Sequence, residues 1–455
     1  MKSNNDDIYK IYENDITLSI SKNEYVTEEI VFYAHKLVDK VERSKSYKFS
    51  PQLRLAVLIF ENAAKTFPNN LEYKLVLARL HLWQGNFGRV IELCNVVLET
   101  VGFDFLASHF LGISLLHVGQ YQKALESLEP LNKISPQNGL LAWNLSNAYF
   151  HAGDYYKGWF VFNRANEALP NSYPEIPKWD GQYLGDKTIV LTQYNSAGGG
   201  DDIMLAEMLP DIIQSVKQCY VEVDPRSEPL YRRSFPAAEV FLYGEPVWSN
   251  PKNIDFQLMV SDLGLILRKN KNDFATRIGY LKADQEKLKQ WGKLINSIAC
   301  SDLKVGICWR SLISIGLTGN FSSEIEEWRH ILKTPGVCFF DLQYDDSDEE
   351  RFSAEKRFGV KIHKIKEIDM MTDFDNLAAI YLSMDLIITT VTTVAMLANA
   401  VGAKVWEVRP KSSAFCMSCL PWFPERKIYY RDWQEPWEKV FNLVGRDLAQ
   451  MKSSD

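Results

Sequence analysis

The stretch KTIVLTQYNSAGGGDDIMLAEMLPDIIQSV, residues 187–216, changes character twice. It opens on a short apolar, β-branched run ending near Gln193. It then passes through Gly198, Gly199 and Gly200, meets Asp201 and Asp202, and continues with apolar residues at helical spacing. A strand, a glycine turn and a helix make one βα step. The same rhythm continues in QCYVEVDPRSEPLYRRSF (218–235), AAEVFLYG (237–244) and FQLMVSDLGLIL (256–267). A helical stretch around 276–298 separates these from a second series. LKVGICWRS (303–311), VCFFDLQY (337–344), GVKIHKI (359–365), MDLIITTV (384–391) and AKVWEVRP (403–410) all read as strands. Such alternation implies parallel strands with helical crossovers. Two Rossmann-like α/β lobes in tandem follow, split near residue 290, with a cleft between the carboxyl ends of their sheets.

The first half has a different period. Gly85, Gly119 and Gly153 are 34 residues apart, as are Phe87, Tyr121 and Tyr155, and Leu77, Leu111 and Leu145. Each unit reads as helix, tight turn, helix, with the aromatic wedged between the two. This resembles the tetratricopeptide repeat. A weaker earlier unit places a first helix near 27–43 and a second on PQLRLAVLIFENAAKTFP (51–68), with a longer loop at 44–50. A stack of this kind is a superhelix with a concave face, suited either to a rigid spacer or dimer surface or to holding a protein partner. The expected organisation is an N-terminal extension (1–26), helical repeats (27–170), a Pro/Gly-rich linker (171–185), a first lobe (186–290) and a second lobe (291–455).

Bulk composition narrows the function. The chain has 455 residues, 24% of them charged, a net charge of −7 and no block of Lys or Arg, which argues against a nucleic-acid partner. The N-terminus lacks a secretory pattern and no run of eighteen apolar residues occurs, so a cytoplasmic chain without a membrane span is expected. Seven cysteines, mostly inside apolar segments, fit buried thiols. Cys416 and Cys419 have CxxC spacing but no second pair, so loop packing is expected there rather than metal.

Four constellations carry candidate chemistry. Asp201 and Asp202 stand where a helix begins, either as an N-cap or as a carboxylate facing the cleft, and the glycines let backbone approach a ligand. GGGD is not a dinucleotide fingerprint. Arg310 follows the strand KVGICW, placed for a phosphate or for a surface ion pair. Thr392 and Thr393 open a small-residue helix, an anion site or a hydroxyl cap. Arg409 and Lys411 add positive charge after the last strand read here. His330 and His363 lie in or next to apolar context and read as structural. No Ser-His-Asp or HExxH arrangement occurs, and no DxD follows a strand in the first lobe, so a metal-dependent sugar-nucleotide site is not expected.

Together these pieces resemble GT-B glycosyltransferases of the ADP-heptose:lipopolysaccharide heptosyltransferase family, in the form that follows tetratricopeptide repeats. WDGQYLGDKTIVL, GGGDDIMLAEMLP, VGICWRS, FFDLQYDD, MDLIITTVTTVAMLANAVGAKVW and PWFP match the family's motifs in order, over residues 180–445. The resemblance implies Asp201 as the base on the acceptor. It implies Arg310, Thr392 and Thr393 at the donor diphosphate, Gln343 and Tyr344 at the nucleotide, and Gly198–Gly200 as loop backbone; Lys411, by its charge beside that helix start, is expected to join the diphosphate site. It implies a nucleotide-sugar donor substrate, no cofactor and no metal. The repeats point to a protein acceptor, with a homo-oligomer as a further expectation. Two positions depart: Val391 stands where the family often has Asp, and Met396 where it has His. A non-catalytic nucleotide-sugar-binding scaffold, or a transferase acting on a lipopolysaccharide or other glycan, are the alternatives.

Overall fold

The computed structural model describes residues 27–44, 51–166, 173–193, 199–248, 250–275, 277–312, 321–411, 419–433 and 435–453. The expected extension 1–26, the loop 45–50, Gly198 and Cys416 lie outside these residues.

The repeat region consists of helix pairs. These are α1 (Glu28–Ser44) with α2 (Pro51–Thr66), α3 (Leu71–Gln84) with α4 (Phe87–Val101), and α5 (Phe105–His117) with α6 (Tyr121–Ile134). They are followed by α7 (Gly139–Ala152) and α8 (Tyr155–Asn166). The 34-residue glycine is a conformational requirement. Gly85, Gly119 and Gly153 have φ of 74°, 81° and 84°, a left-handed turn that costs other residues a Cβ clash. The following aromatic packs inward, Phe87 being buried and stacked on His117 at 4.6 Å. Gly112 lets paired helices close up, since a Cβ there would stand 2.5 Å from Leu128. Asp104 caps α5 by accepting from the Ala107 N–H at 2.8 Å. Asp104→Ala is expected to cost about 1 kcal/mol, read as a lowered urea midpoint with unchanged slope.

Compactness divides the described chain inside α7: residues through Ala148 form one unit and those from Tyr149 another. The last helix of the repeat period, α8, therefore belongs with the α/β lobes, some twenty residues before the change in composition. Its Trp159 is the reason. It is fully buried, donates Nε1–H to the Arg268 carbonyl at 3.1 Å, and lies 6.2 Å from the Trp422 ring.

The first lobe has β1 (Thr188–Thr192), β2 (Gln218–Val223), β3 (Ala238–Leu242) and β4 (Phe256–Met259), all parallel, in the order β3-β2-β1-β4. Its helices are α9 (Gly199–Leu205), α10 (Leu209–Ile213), α11 (Glu228–Ser234) and α12 (Leu263–Leu267). The segment expected as a linker is part of this lobe. Tyr173 and Ile176 are buried with Val190, Phe241 and Ile254. Trp179 and Pro177 exchange backbone hydrogen bonds with Gln257 of β4 at 3.0 and 2.9 Å. Proline and glycine break the periodicity there, yet the aromatics between them supply the anchors.

The second lobe has β5 (Leu303–Cys308), β6 (Val337–Asp341), β7 (Ile362–Lys364), β8 (Leu386–Thr389), β9 (Val405–Pro410) and β10 (Lys427–Arg431). These too are parallel, in the order β10-β9-β8-β5-β6-β7. Strand β10 is absent from the sequence reading: it is an edge strand whose Lys427 and Tyr430 face solvent, so it lacks an apolar run. The helices are α13 (Gln285–Ala299), α14 (Arg329–Leu332), α15 (Asp348–Phe358), α16 (Phe374–Leu382), α17 (Thr393–Val401) and α18 (Trp437–Ser453). Helix α13 packs on α16, β5 and β6, so it lies wholly with the second lobe and starts later than the 276–298 expected. No helix of the described residues is long and apolar enough to cross a membrane.

Candidate functional site

Strand order locates the site before any side chain is considered. In the first lobe the chain runs from β1 outward through β2 and β3, then returns to β4 on the other side of β1. In the second lobe it runs from β5 through β6 and β7, then returns to β8 on the other side of β5. Each reversal opens a crevice at the carboxyl ends of the strands, where open α/β sheets bind ligands. The β1 end leads into the glycine stretch and α9. The β5 end carries Trp309 and Arg310, and the β8 end carries Thr390 to Thr393.

The two crevices meet. Gly199 and Gly200 form the first turn of α9, and α9 packs on α17 of the other lobe. A Cβ at Gly200 would lie 3.3 Å from Thr393 Oγ1 and 3.6 Å from Met396 Cγ. A Cβ at Gly199 would lie 3.1 Å from the Phe374 ring and 3.3 Å from Arg226 Nη2. These glycines were expected to admit a ligand; in the structure they admit the opposite lobe. Gly200→Ala is expected to cost about 1–3 kcal/mol as overpacking, read by thermal melting.

Asp201 follows directly, half-buried and without a hydrogen bond or ion pair among the described residues. Desolvation pushes its pKa up to about 6. Asp202 is not a helix cap, because α9 already begins at Gly199. It is buried beside Tyr243, which hydrogen-bonds its carboxyl, and the Tyr231 hydroxyl donates to its backbone carbonyl at 3.0 Å. Burial first, then the neighbouring Asp201 and Asp224, push its pKa to about 8, so it is mainly protonated at neutral pH. Arg226 offsets this only in part, being held by Asp224 through Nε and Nη2 at 2.8 and 2.9 Å. Asp224, Arg226 and Tyr243 do not figure in the sequence reading. Their signal was there: Asp224-Pro-Arg226 directly follows the strand VEV.

Across the contact, Thr392 occupies the N-cap position of α17 with extended backbone, but its side chain makes no capping bond. Its hydroxyl instead meets Thr389 Oγ1 at 3.2 Å and the Thr390 carbonyl at 3.4 Å. The helix's own bonding starts at the Met396 N–H, to the Thr392 carbonyl at 3.2 Å. The amides of Thr393, Val394 and Ala395 have no acceptor among the described residues, as at any uncapped helix start. Thr393 is half-buried beside Gly200.

The remaining candidates are committed elsewhere. Arg310 holds Glu350 through Nε at 3.0 Å and pairs with Asp345, which is the ion-pair alternative of the sequence reading. Gln343 is buried, and its Oε1 accepts from the backbone N–H groups of Trp309 and Arg310, both at 3.0 Å. It clamps the end of β5 and presents no free face to a nucleotide. Tyr344 is half-buried, its hydroxyl accepting from the Leu312 N–H at 3.1 Å. Lys411 is exposed and pairs with Asp432 at 2.7 Å. Arg409 is buried on Glu407 at 3.0 Å. No group of three or more His, Cys, Asp or Glu side chains able to hold a metal occurs among the described residues.

No family model matches the chain. Protein FlbA of Caulobacter vibrioides is 27% identical over 371 residues, covering 76% of this chain and 62% of its own length. The chain thus spans less than two thirds of that relative. Among solved structures, a glycosyl transferase family 9 protein from Veillonella parvula is similar over 59% of this chain and 93% of its own, at 11% identity and a TM-score of 0.44. An O-GlcNAc transferase variant from Thermobaculum terrenum covers 93% of this chain and 91% of its own, at 15% identity and a TM-score of 0.34.

Proposed function

We propose that the chain is an inverting, metal-independent glycosyltransferase that moves a sugar from a nucleotide sugar to a hydroxyl group, on a protein held by the repeats. The observation that carries this reading is the contact of Gly200 with Thr393. Asp201, the residue after Gly200, has a pKa raised to about 6, and α17 begins at that contact without a side-chain cap; both support the reading.

In the reaction, Asp201 accepts the proton of the acceptor hydroxyl as its oxygen attacks the anomeric carbon. The bond from that carbon to the diphosphate breaks, and the nucleoside diphosphate leaves with the electron pair. Attack opposite the leaving group inverts the anomeric centre. The amides at Thr393 to Ala395 meet charge that grows on the leaving group, so they favour the transition state over the ground state. Arg310 joins them only by exchanging Asp345 or Glu350 for phosphate, and Lys411 only by releasing Asp432.

The test is a thermal-shift panel of nucleotide sugars, followed by intact-mass analysis of proteins incubated with the chain and the stabilising donor. A mass increment of one sugar supports the reading. The second reading, a binding module, is favoured by the engagement of Arg310 and Gln343 within their own lobe and by Val391 and Met396. It is the outcome if a donor stabilises the chain yet no transfer and no donor hydrolysis occur.

A further inference from the structure

The chain passes from the first lobe to the second through residues 277–283, and this strap is fastened to both helices of the candidate site. Toward the first lobe, the Tyr280 hydroxyl donates to the Ile203 carbonyl of α9 at 2.7 Å, and Arg277 Nη1 donates to the Glu207 carbonyl at 3.0 Å. Toward the second, the Leu281 N–H donates to the Ala400 carbonyl of α17 at 3.0 Å. Gly279 lets the two backbones approach, with a φ of 61° and a Cβ position 3.1 Å from the Val401 carbonyl oxygen. The two helices that meet at Gly200 and Thr393 are thus braced by one short segment.

The same segment walls a cavity of about 390 Å³. Pro210 and Ile213 of α10, Phe235 and Pro236 just before β3, and Ile278 and Tyr280 of the strap supply its apolar lining. Residues that lead into β3 place it at the amino end of the first sheet, away from the crevice that holds Asp201. Ile278 is 58% exposed, a large apolar side chain kept in water at an open mouth.

Charge decides what fits there. The chain carries a net charge of −7, yet no Asp or Glu lines this cavity. Arg277 is matched by Glu207 at 3.0 Å and by Asp211 at 3.3 Å. Lys282 is exposed, donates its ammonium to the Gly279 carbonyl at 2.9 Å, and pairs with no carboxylate among the described residues. Apolar walls with one uncompensated ammonium complement a small molecule that has a hydrocarbon body and a single carboxylate. Burial of the body supplies the drive, and the charge-assisted bond to Lys282 sets the orientation.

We propose that this cavity is an effector site for a small amphipathic carboxylate, whose binding stiffens the strap and the seating of α9 against α17. The occupant rests on Ile278 and Tyr280, so openings that pull Tyr280 from the Ile203 carbonyl must first release it. Neither property depends on sugar transfer.

Octanoate and its neutral counterpart octanamide serve as probes, each titrated calorimetrically into the full chain at pH 7.5. Octanoate is expected to bind ~5–10-fold more tightly, the effect of one hydrogen bond to a charged group. Lys282→Met keeps the stem and removes the charge, so it should erase that preference and leave octanamide binding unchanged. Ile278→Asp changes an exposed residue and sets a like charge at the mouth, which should weaken octanoate by ~10-fold or more. At about ten times its Kd, octanoate should slow hydrogen exchange of the amides in 277–283 and in α9 by about 10-fold, the mass-action factor. No binding of octanoate, equal binding of the two probes, or a Lys282→Met chain that keeps the preference overturns the site. Binding that leaves exchange in both segments unchanged overturns its effector role.

Discussion

Asp201→Asn is expected to reduce kcat/KM for sugar transfer by about 10²–10⁴-fold, the range supplied by a positioned base, while leaving donor binding unchanged. Asn keeps the size and polarity of Asp but cannot accept the proton. With Asp201 as the proposed base, the parent chain should show an acidic limb near pH 6, because the carboxyl must be ionised to act and its pKa stands at about 6. Activity therefore rises as pH rises through that value. An Asn variant with full activity, or a profile flat from pH 5 to 7, would remove Asp201 from the chemistry.

The same residues tie activity to stability. Asp201 and Asp202 hold their protons more tightly in the folded chain than in the unfolded one, with pKa values raised to about 6 and about 8. Their contribution to folding is complete below the ordinary carboxylate range and is lost as pH rises through 6 and then 8. On the proposed reading, an ionisable base in a desolvated site is thus present at a cost to the fold, as functional sites often are.

The second large effect lies far from the chemistry. Trp159→Ala is expected to destabilise the chain by about 3–5 kcal/mol, the usual range for emptying a core aromatic site. Its ring is fully buried, with Phe150 and Phe162 at 5.0 and 5.9 Å. The wall cannot collapse easily, since Gly264 already lies so close that a Cβ there would be 2.4 Å from the indole. Trp159→Phe keeps most of the packing and loses the bond to the Arg268 carbonyl, about 1 kcal/mol. Urea unfolding of both variants separates the two contributions. A loss below about 1 kcal/mol for the alanine variant would show that α8 does not anchor the lobes.

Much of this architecture is local in origin and so legible in the residues. The 34-residue step of Gly85, Gly119 and Gly153 specifies helix pairs because each glycine meets a left-handed turn that few other residues tolerate. The alternation of β-branched runs with helical spacing specifies parallel sheets, because only parallel strands need a helix between each pair. Asp201 could be singled out because it follows glycines at a strand end. The assignments that the structure reads differently depend on partners distant in sequence. Gly199 and Gly200 look like ligand-loop residues until α17 is found against them. Arg310 looks free until Asp345 and Glu350 are brought beside it, and Asp202 looks like a cap until Tyr243 and Asp224 enclose it. Residues 171–185 read as a linker because their prolines and glycines erase periodicity, whereas Trp179 and Tyr173 secure the described part of this stretch to the sheet. The sequence by itself determined which elements form, since backbone conformation and hydrophobic period are written within a few residues of one another. Only the tertiary structure decided which side chains remain available for chemistry. A charge or hydrogen-bonding group is free or spent according to what other elements place within about 3 Å of it.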